Sequence, residues 1–321
     1  MSTIMTRTSS DIDKRLAQLR QEVPTRGLDR HISVLGAISE LPAELQSPSL
    51  AALAAGESIQ VIIYFPAQIQ RGWNYTPRQA LIFTASGAIH VLASIWPDEE
   101  PYISHIRQNG LMYMRISLLL LYGQIEIVAQ GEKSPNQIGM EFNTVAWYRL
   151  SAPLHRILQA TKDIPGVPGD PVHYSPIAQQ AAEQLPVKFS NGVKIYGLLP
   201  GEKLEDLVFQ PRIWMQKYIL FRRPIITNML LMLTSHFIAV IQEDLRVAQG
   251  WIVTHIPRNC ISGMTHRPHE LGRTLVIQMQ RGGQSTELEL LLSKEAVDDW
   301  RGVWTQHGGK WQDPDDADRP A

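Results

Sequence analysis

The chain has 321 residues, of which 44% are hydrophobic and 19% charged, and its formal net charge is −1. That length predicts two domains of roughly 100–150 residues each, and the near-zero charge excludes the strong basic field that nucleic acid calls for. A lone cysteine, Cys260, excludes an internal disulfide and fits a reducing compartment.

The opening MSTIMTRTSSDIDKR lacks the apolar core of a secretory signal. The longest apolar runs, LLLLYGQIEIV and NMLLMLTSHFIAVI, are broken by polar residues and fall short of the ~20 that a membrane helix needs. A soluble, cytoplasmic protein is therefore expected.

Residues 1–54 read as a helical segment. Ile12, Leu16, Leu19 and Val23 recur at helical spacing behind Ser10 and Asp11 as caps, and a second helix is expected over SPSLAALAAG. These helices are expected to pack on the first strand-rich unit, with a dimerisation stripe as the alternative.

From residue 55 the period changes to 2. GESIQVIIYFP (Gly56–Pro66) recurs as GEKLEDLVFQP (Gly201–Pro211), and LIFTASGAIHVL recurs as LMLTSHFIAVI, with Thr84 matching Thr234. GQIEIVAQG then corresponds to RTLVIQMQRGG, and GMEFN to ELELLL. A near-constant offset through so many elements marks an internal duplication. Within each copy, alternating apolar residues predict strands separated by turns at Ser86–Gly87, Gln108–Gly110 and Arg281–Gly283.

Each copy closes on an apolar pattern of period 3.6. In the second, Ser293 is the expected N-cap, with Ala296, Val297, Trp300, Val303 and Trp304 on one face. In the first, Thr144 is the expected cap, and Pro153 is expected to kink or restart the helix. The predicted fold is mainly β: two small antiparallel barrels or sandwiches, each capped by a C-terminal helix. The units span 55–160 and 199–310. The linker 161–198 is Pro-rich at first, then offers a helix in SPIAQQAAEQL and a hairpin in VKFSNGVKIYGL turning at Asn191–Gly192. The acidic tail 311–321 is expected to be disordered.

Each unit resembles a bacterial PH-like domain. The residues that carry the resemblance are LPGE, LLMLTSHFIAVIQED, IPRNCI, LVIQMQRGG and AVDDWRGVW in the second copy. In the first they are GESI, LIFTASGAIHVL, MYMRIS, IEIVAQG and MEFNTVAWYRL. The resemblance implies a groove between an open sheet edge and the helix, suited to a protein partner. It also implies that the loop between the first two strands is where lipid headgroups would be gripped.

That loop region is unusual in charge. No Asp or Glu occurs from Ser58 to Pro97, where Arg71 and Arg78 are present. None occurs from Leu207 to Gln242, where Arg212, Lys217, Arg222 and Arg223 are present. Guanidinium forks suit phosphate, and Trp73, Tyr75, Trp214 and Tyr218 lie beside these cations. These six cations are the candidates for an anionic lipid surface at the inner membrane face; the alternative is an ordinary solvated sheet.

A weaker constellation is Cys260, His266 and His269, with Glu270 beside them and His255 or His236 as a further ligand for zinc. The alternative is a core cysteine with loop histidines. No phosphate loop, G-x-S-x-G or H-E-x-x-H motif occurs, so no cofactor is expected. The sequence thus predicts a non-catalytic binding or scaffolding protein with a protein partner. Peripheral membrane binding is the alternative, and a metal-dependent enzyme comes after it.

Overall fold

The computed structural model describes residues 8–22, 32–70, 74–107, 109–160, 173–217, 221–244 and 250–313. Val23, Arg71, Trp73, Gln108, Tyr218 and the Pro-rich start of the linker lie outside the described residues. The chain forms two compact units. Unit 1 comprises Met1–Arg107 with Met140–Pro153, and unit 2 comprises Gln108–Gly139 with Leu154–Ala321.

In unit 1, helix α1 (Ser9–Glu22) buries Leu19 and leaves Ile12 exposed. Its cap is Thr8 rather than Ser10: the Asp11 amide donates to Thr8 Oγ1 at 3.3 Å, and the Thr8 amide donates to Asp11 Oδ2 at 3.1 Å. Arg15 Nε donates to the Ile95 carbonyl at 2.8 Å and ties α1 to the sheet. Helix α2 (Ala43–Ala52) begins four residues before the stretch in which the sequence places it, because Pro42 supplies an extended N-cap.

The sheet of unit 1 is built from β1 (Ser33–Leu35), β2 (Ile59–Phe65), β5 (Gln79–Thr84), β6 (Gly87–Leu92) and β7 (Tyr102–Arg107), ordered β1-β2-β5-β6-β7. Between β2 and β5 the chain makes a small ribbon of β3 (Gln68–Gln70) and β4 (Asn74–Thr76). Central β5, QALIFT, is buried along its whole length, so the alternation expected of a half-buried strand gives way to a continuous apolar run. Ile62, Ile82, Ile89 and Val91 form the core with Leu45 of α2.

Unit 2 repeats this order. β12 (Lys203–Gln210), β15 (Met229–Thr234), β16 (Phe237–Glu243) and β17 (Trp251–Pro257) pair antiparallel in succession, with a ribbon of β13 (Ile213–Lys217) and β14 (Phe221–Ile226) inserted after β12. Three strands come next in each repeat. β8 (Leu111–Leu119), β9 (Tyr122–Ala129) and β10 (Asn136–Asn143) belong to the first, and β18 (Ile261–His269), β19 (Gly272–Arg281) and β20 (Gln284–Leu292) to the second.

The compact units do not follow the repeat boundaries. β8 leaves its own repeat and pairs with β17 from Leu118↔Trp251 to Met114↔His255, which places residues 108–139 in unit 2. The result is an eight-stranded sheet ordered β10-β9-β8-β17-β16-β15-β12-β11, where β11 is His173–Tyr174.

Helix α3 (Trp147–Ala160) follows a short turn capped by Asn143, not Thr144, and continues through Pro153 without restarting. In the linker, α4 (Pro176–Glu183) is capped by Ser175 as a Ser-Pro start suggests. The expected hairpin is absent: α5 (Val187–Gly192) runs into a π-helical turn over Val193–Gly197. Phe189 and Val193 are buried, and Phe189 meets Phe209 and Trp251 edge-on at 5.0 and 5.2 Å. Packing of that apolar face outweighs the turn preference of Asn191–Gly192. Helix α6 (Lys294–Gln306) starts at Ser293, whose Oγ accepts from the Ala296 amide, and buries Val297, Trp300 and Trp304 against β18, β19 and β20. No helix among the described residues is long and apolar enough to cross a membrane.

Candidate functional site

The Gly-Glu that opens each repeat has one structural job. Gly56 and Gly201 both sit at positive φ, +79° and +74°, and turn the chain into the first strand. The carboxylate that comes next closes a hairpin. Glu202, 1% exposed, accepts from Thr234 Oγ1 at 2.8 Å, Ser235 Oγ at 3.0 Å and the His236 amide at 3.1 Å, and it faces His236 Nδ1 at 3.0 Å. Glu57 accepts likewise from Ser86 Oγ and the Ala54 amide, and these bonds, Ser86 foremost, hold its carboxyl below the ordinary value.

The candidate cations divide into two groups. Arg78 is paired with Glu44 at 2.6 Å, and Arg212 with Glu243 at 2.5 Å. Glu243 also takes Lys188 Nζ and Asn228 Nδ2, both at 2.6 Å. Burial pushes the Glu243 carboxyl up, but the bonds from Lys188, Asn228 and Arg212 outweigh it, so the group is held below its usual range. Glu243 directly follows the second acid-free window and Glu44 precedes the first by 14 positions, so a count confined to the windows misses both. Arg212 also lies 5.2 Å from the ring of Trp214, which is 49% exposed. Lys217, Arg222 and Arg223 fall on the β13–β14 ribbon, with Lys217 opposite Phe221, Gln216 opposite Arg222 and Met215 opposite Arg223. Arg71 is outside the described residues.

The Cys–His constellation does not assemble. Among the described residues, no group of three or more His, Cys, Asp or Glu is placed to hold a metal ion. Cys260 is buried in a turn before β18, and its Sγ donates to the carbonyls of Pro257 at 3.0 Å and Met112 at 3.3 Å. Burial pushes its thiol up to about 12, so it stays protonated. His269 is exposed and accepts from the Leu271 amide, while His266 lies beside Trp311 with ring centroids 6.0 Å apart.

The sequence does not reveal the feature built around His266. After α6, Gly308 at φ +78° reverses the chain. Gly309 then passes so close to the Trp304 indole that a Cβ there would lie 2.0 Å from it. Residues 310–312 continue as an extended segment along the edge of β18. The Met264 amide donates to the Lys310 carbonyl at 3.1 Å, and the Gln312 amide donates to the Met264 carbonyl at 2.8 Å. Trp304 Nε1 donates to the Lys310 carbonyl at 3.0 Å, and Arg301 holds Asp313 through two contacts of 3.1 Å while lying 5.7 Å from the Trp311 ring. Residues 311–313, expected to be disordered, are therefore seated between a sheet edge and a helix. The signal was Trp311, an apolar aromatic behind a Gly-Gly pair and ahead of acids.

Unit 1 carries a cleft of about 500 Å3 lined in part by Arg15, Arg78, Tyr75, Trp96, Glu99 and Glu100. Its size suits a small molecule, but the Arg78 guanidinium in it is already matched by Glu44. No protein-family model matches the sequence, and no curated protein matches it.

Proposed function

We propose that this is a non-catalytic binding protein made of two PH-like units, and that it recognises an extended segment of a partner protein in the groove between β18 and α6. The reading of each repeat as PH-like is supported by the order that both share: four antiparallel strands with a ribbon after the first, three further strands, then a helix. One observation carries the binding reading. The groove already holds an extended segment, residues 310–312, through two main-chain hydrogen bonds to Met264. Strand addition of this kind draws affinity from the backbone and specificity from flanking pockets.

Selection of peptides from a random displayed library on the intact chain carrying Asp313→Lys, which removes the hold of Arg301 on the resident segment, tests this reading. Enriched peptides are expected to lose binding when His266→Pro removes an outward amide from the β18 edge. No enrichment, or enriched peptides indifferent to His266→Pro, would sink it.

A second reading is attachment to an anionic membrane surface. It is supported by the β13–β14 pairing, which gathers Lys217, Arg222 and Arg223 on one two-stranded ribbon. Flotation with anionic and neutral liposomes at low and physiological salt tests it. Binding that survives Arg222→Glu with Arg223→Glu would remove this reading.

A further inference from the structure

The segment Lys310–Asp313 lies along the β18 edge of that groove. Its counterpart in the first repeat shows what the edge can take. Met264 of β18 corresponds to Met114 of β8, 150 residues earlier in the duplicated sequence. On β8 this edge is covered by a full antiparallel ladder, Met114 to Leu118 against His255 to Trp251. Among the described residues, the same edge of β18 carries a single bridge, Met264 with Trp311. Outward-pointing backbone groups alternate along an antiparallel strand, so the next set after Met264 belongs to His266. Among the described residues that set has no main-chain partner. Pro268 then limits the edge, since it has no amide to offer. Among the described residues the uncovered stretch is therefore short and suits a peptide rather than a long strand.

The resident segment also fits imperfectly. Among the described residues, Trp311 Nε1 and His266 Nδ1 are both buried without a hydrogen-bond partner. Buried polar atoms left in this state weaken an interaction. The charge contact that anchors the far end, Arg301 with Asp313, is nearly half exposed on both sides and is correspondingly weak. The contacts nonetheless define a chemistry. An aromatic ring fills the space between His266 and the Arg301 guanidinium, and an acid two residues later lies on Arg301. Gly263 faces the far end of the Gln312 side chain, where a Cβ would come 3.1 Å from the amide nitrogen.

We propose that the β18–α6 groove recognises a partner peptide bearing an aromatic residue followed two positions later by an acidic one, and that Trp311 and Asp313 occupy the groove in cis as a displaceable mimic of that peptide. This rests on the reading of the groove as a peptide site. A partner that supplies acceptors to Trp-type and His266 ring nitrogens, or extends the pairing to His266, outcompetes the resident segment. The protein is thereby held closed until such a partner is present.

The test uses the intact chain carrying Trp311→Ala and Asp313→Lys, with Asp313→Lys alone as a second variant should the double one fail to fold. The probe is a fluorescent peptide copying residues 308–321, read by anisotropy. A tethered segment competes at an effective concentration on the order of millimolar. The loosened chain is therefore expected to bind the peptide at least roughly tenfold tighter than the wild type does. The same peptide with Trp311→Ala should not bind, and Arg301→Glu in the chain should restore affinity for a peptide carrying Asp313→Lys.

Equal binding by loosened and wild-type chains, or no preference for the unaltered peptide, overturns the proposal. Library selection on the loosened chain separates the peptide motif from the groove itself. Enriched peptides that lack the aromatic-x-acidic pattern but remain sensitive to His266→Pro would overturn this inference and leave the groove reading intact. Absence of any enriched peptide would overturn both.

Discussion

Glu202 and Thr234 lie 32 positions apart in sequence and 2.8 Å apart in space, carboxylate to hydroxyl, in the interior of unit 2. The pair locks the β15–β16 hairpin onto the start of β12, and Thr234 Oγ1 in turn accepts from the Phe237 amide at 3.0 Å. Glu57 and Ser86 make the matching closure in unit 1. The two closures differ in burial: Glu202 is 1% exposed, whereas the Glu57–Ser86 contact is open to water.

Glu202→Ala should therefore be the costlier change. It leaves Thr234, Ser235 and His236 donors in a site from which water is largely excluded, at a cost of roughly 3 kcal/mol or more. Glu57→Ala, at a hairpin open to water, should cost about 1 kcal/mol or less. Urea unfolding of both variants checks the order; equal losses would show that burial does not set the contribution.

Stability should fall on acidification because of buried histidines. His255 is buried, and burial first, then the neighbouring His155, push it down to about 4. The carbonyls of Gly197 and Tyr196 and the carboxylate of Glu202 act in the opposite direction without restoring it. His90, bonded to Gln79 at 2.8 Å, is likewise held at about 4 by burial. A folded-state value below the unfolded ~6.5 means the unfolded chain binds protons first. The contribution is complete above pH ~6.5 and is lost as pH falls toward 4. His255→Leu should flatten the dependence by up to about one proton over that range. An unchanged slope in chemical melts at successive pH values would contradict the assignment.

Arg212 should behave as a structural cation. Glu243→Gln leaves Arg212 and Lys188 without their carboxylate and should cost about 2–4 kcal/mol, since Glu243 is buried and accepts from three groups. Arg212→Ala should lower stability while leaving any liposome binding unaltered. Loss of liposome binding at full stability would instead place Arg212 at the lipid surface.

Leu120 adopts φ +52°, the left-handed region, at the two-residue β8–β9 turn, and it is 64% exposed. A Leu side chain there is strained by roughly 1 kcal/mol, and little burial compensates. Leu120→Gly should raise stability by about 1 kcal/mol in thermal or urea unfolding. A destabilised variant would mean that the leucine makes contacts that outweigh its strain.

The duplication was legible because it is written in local pattern. Gly-Glu openings, period-2 strands and the Ser293 helix with its Trp300–Trp304 face all depend on residues near one another in sequence, and each appears where the pattern places it. The acid-free windows were legible too but misleading. Arg78 and Arg212 find Glu44 on α2 and Glu243 at the end of β16, beyond the window edges, and a charge count along one stretch of sequence does not see a partner on another element. Asn191–Gly192 misled in another way: its turn preference is worth less than burying Phe189 and Val193 on one helical face.

What the sequence determines by itself, then, is the mainly β character, the twofold repetition of one element order, and the capped amphipathic helix that closes the second repeat. Only the tertiary structure decides which strands share a sheet. Main-chain hydrogen bonding along a strand edge carries no residue code, so nothing in the composition of β8 announces that it pairs with β17 of the other repeat. The same edge chemistry on β18 is what seats Lys310–Gln312. A short segment outside any repeated pattern is held there by Met264, Trp304 and Arg301, residues brought together only when the sheet and α6 have packed.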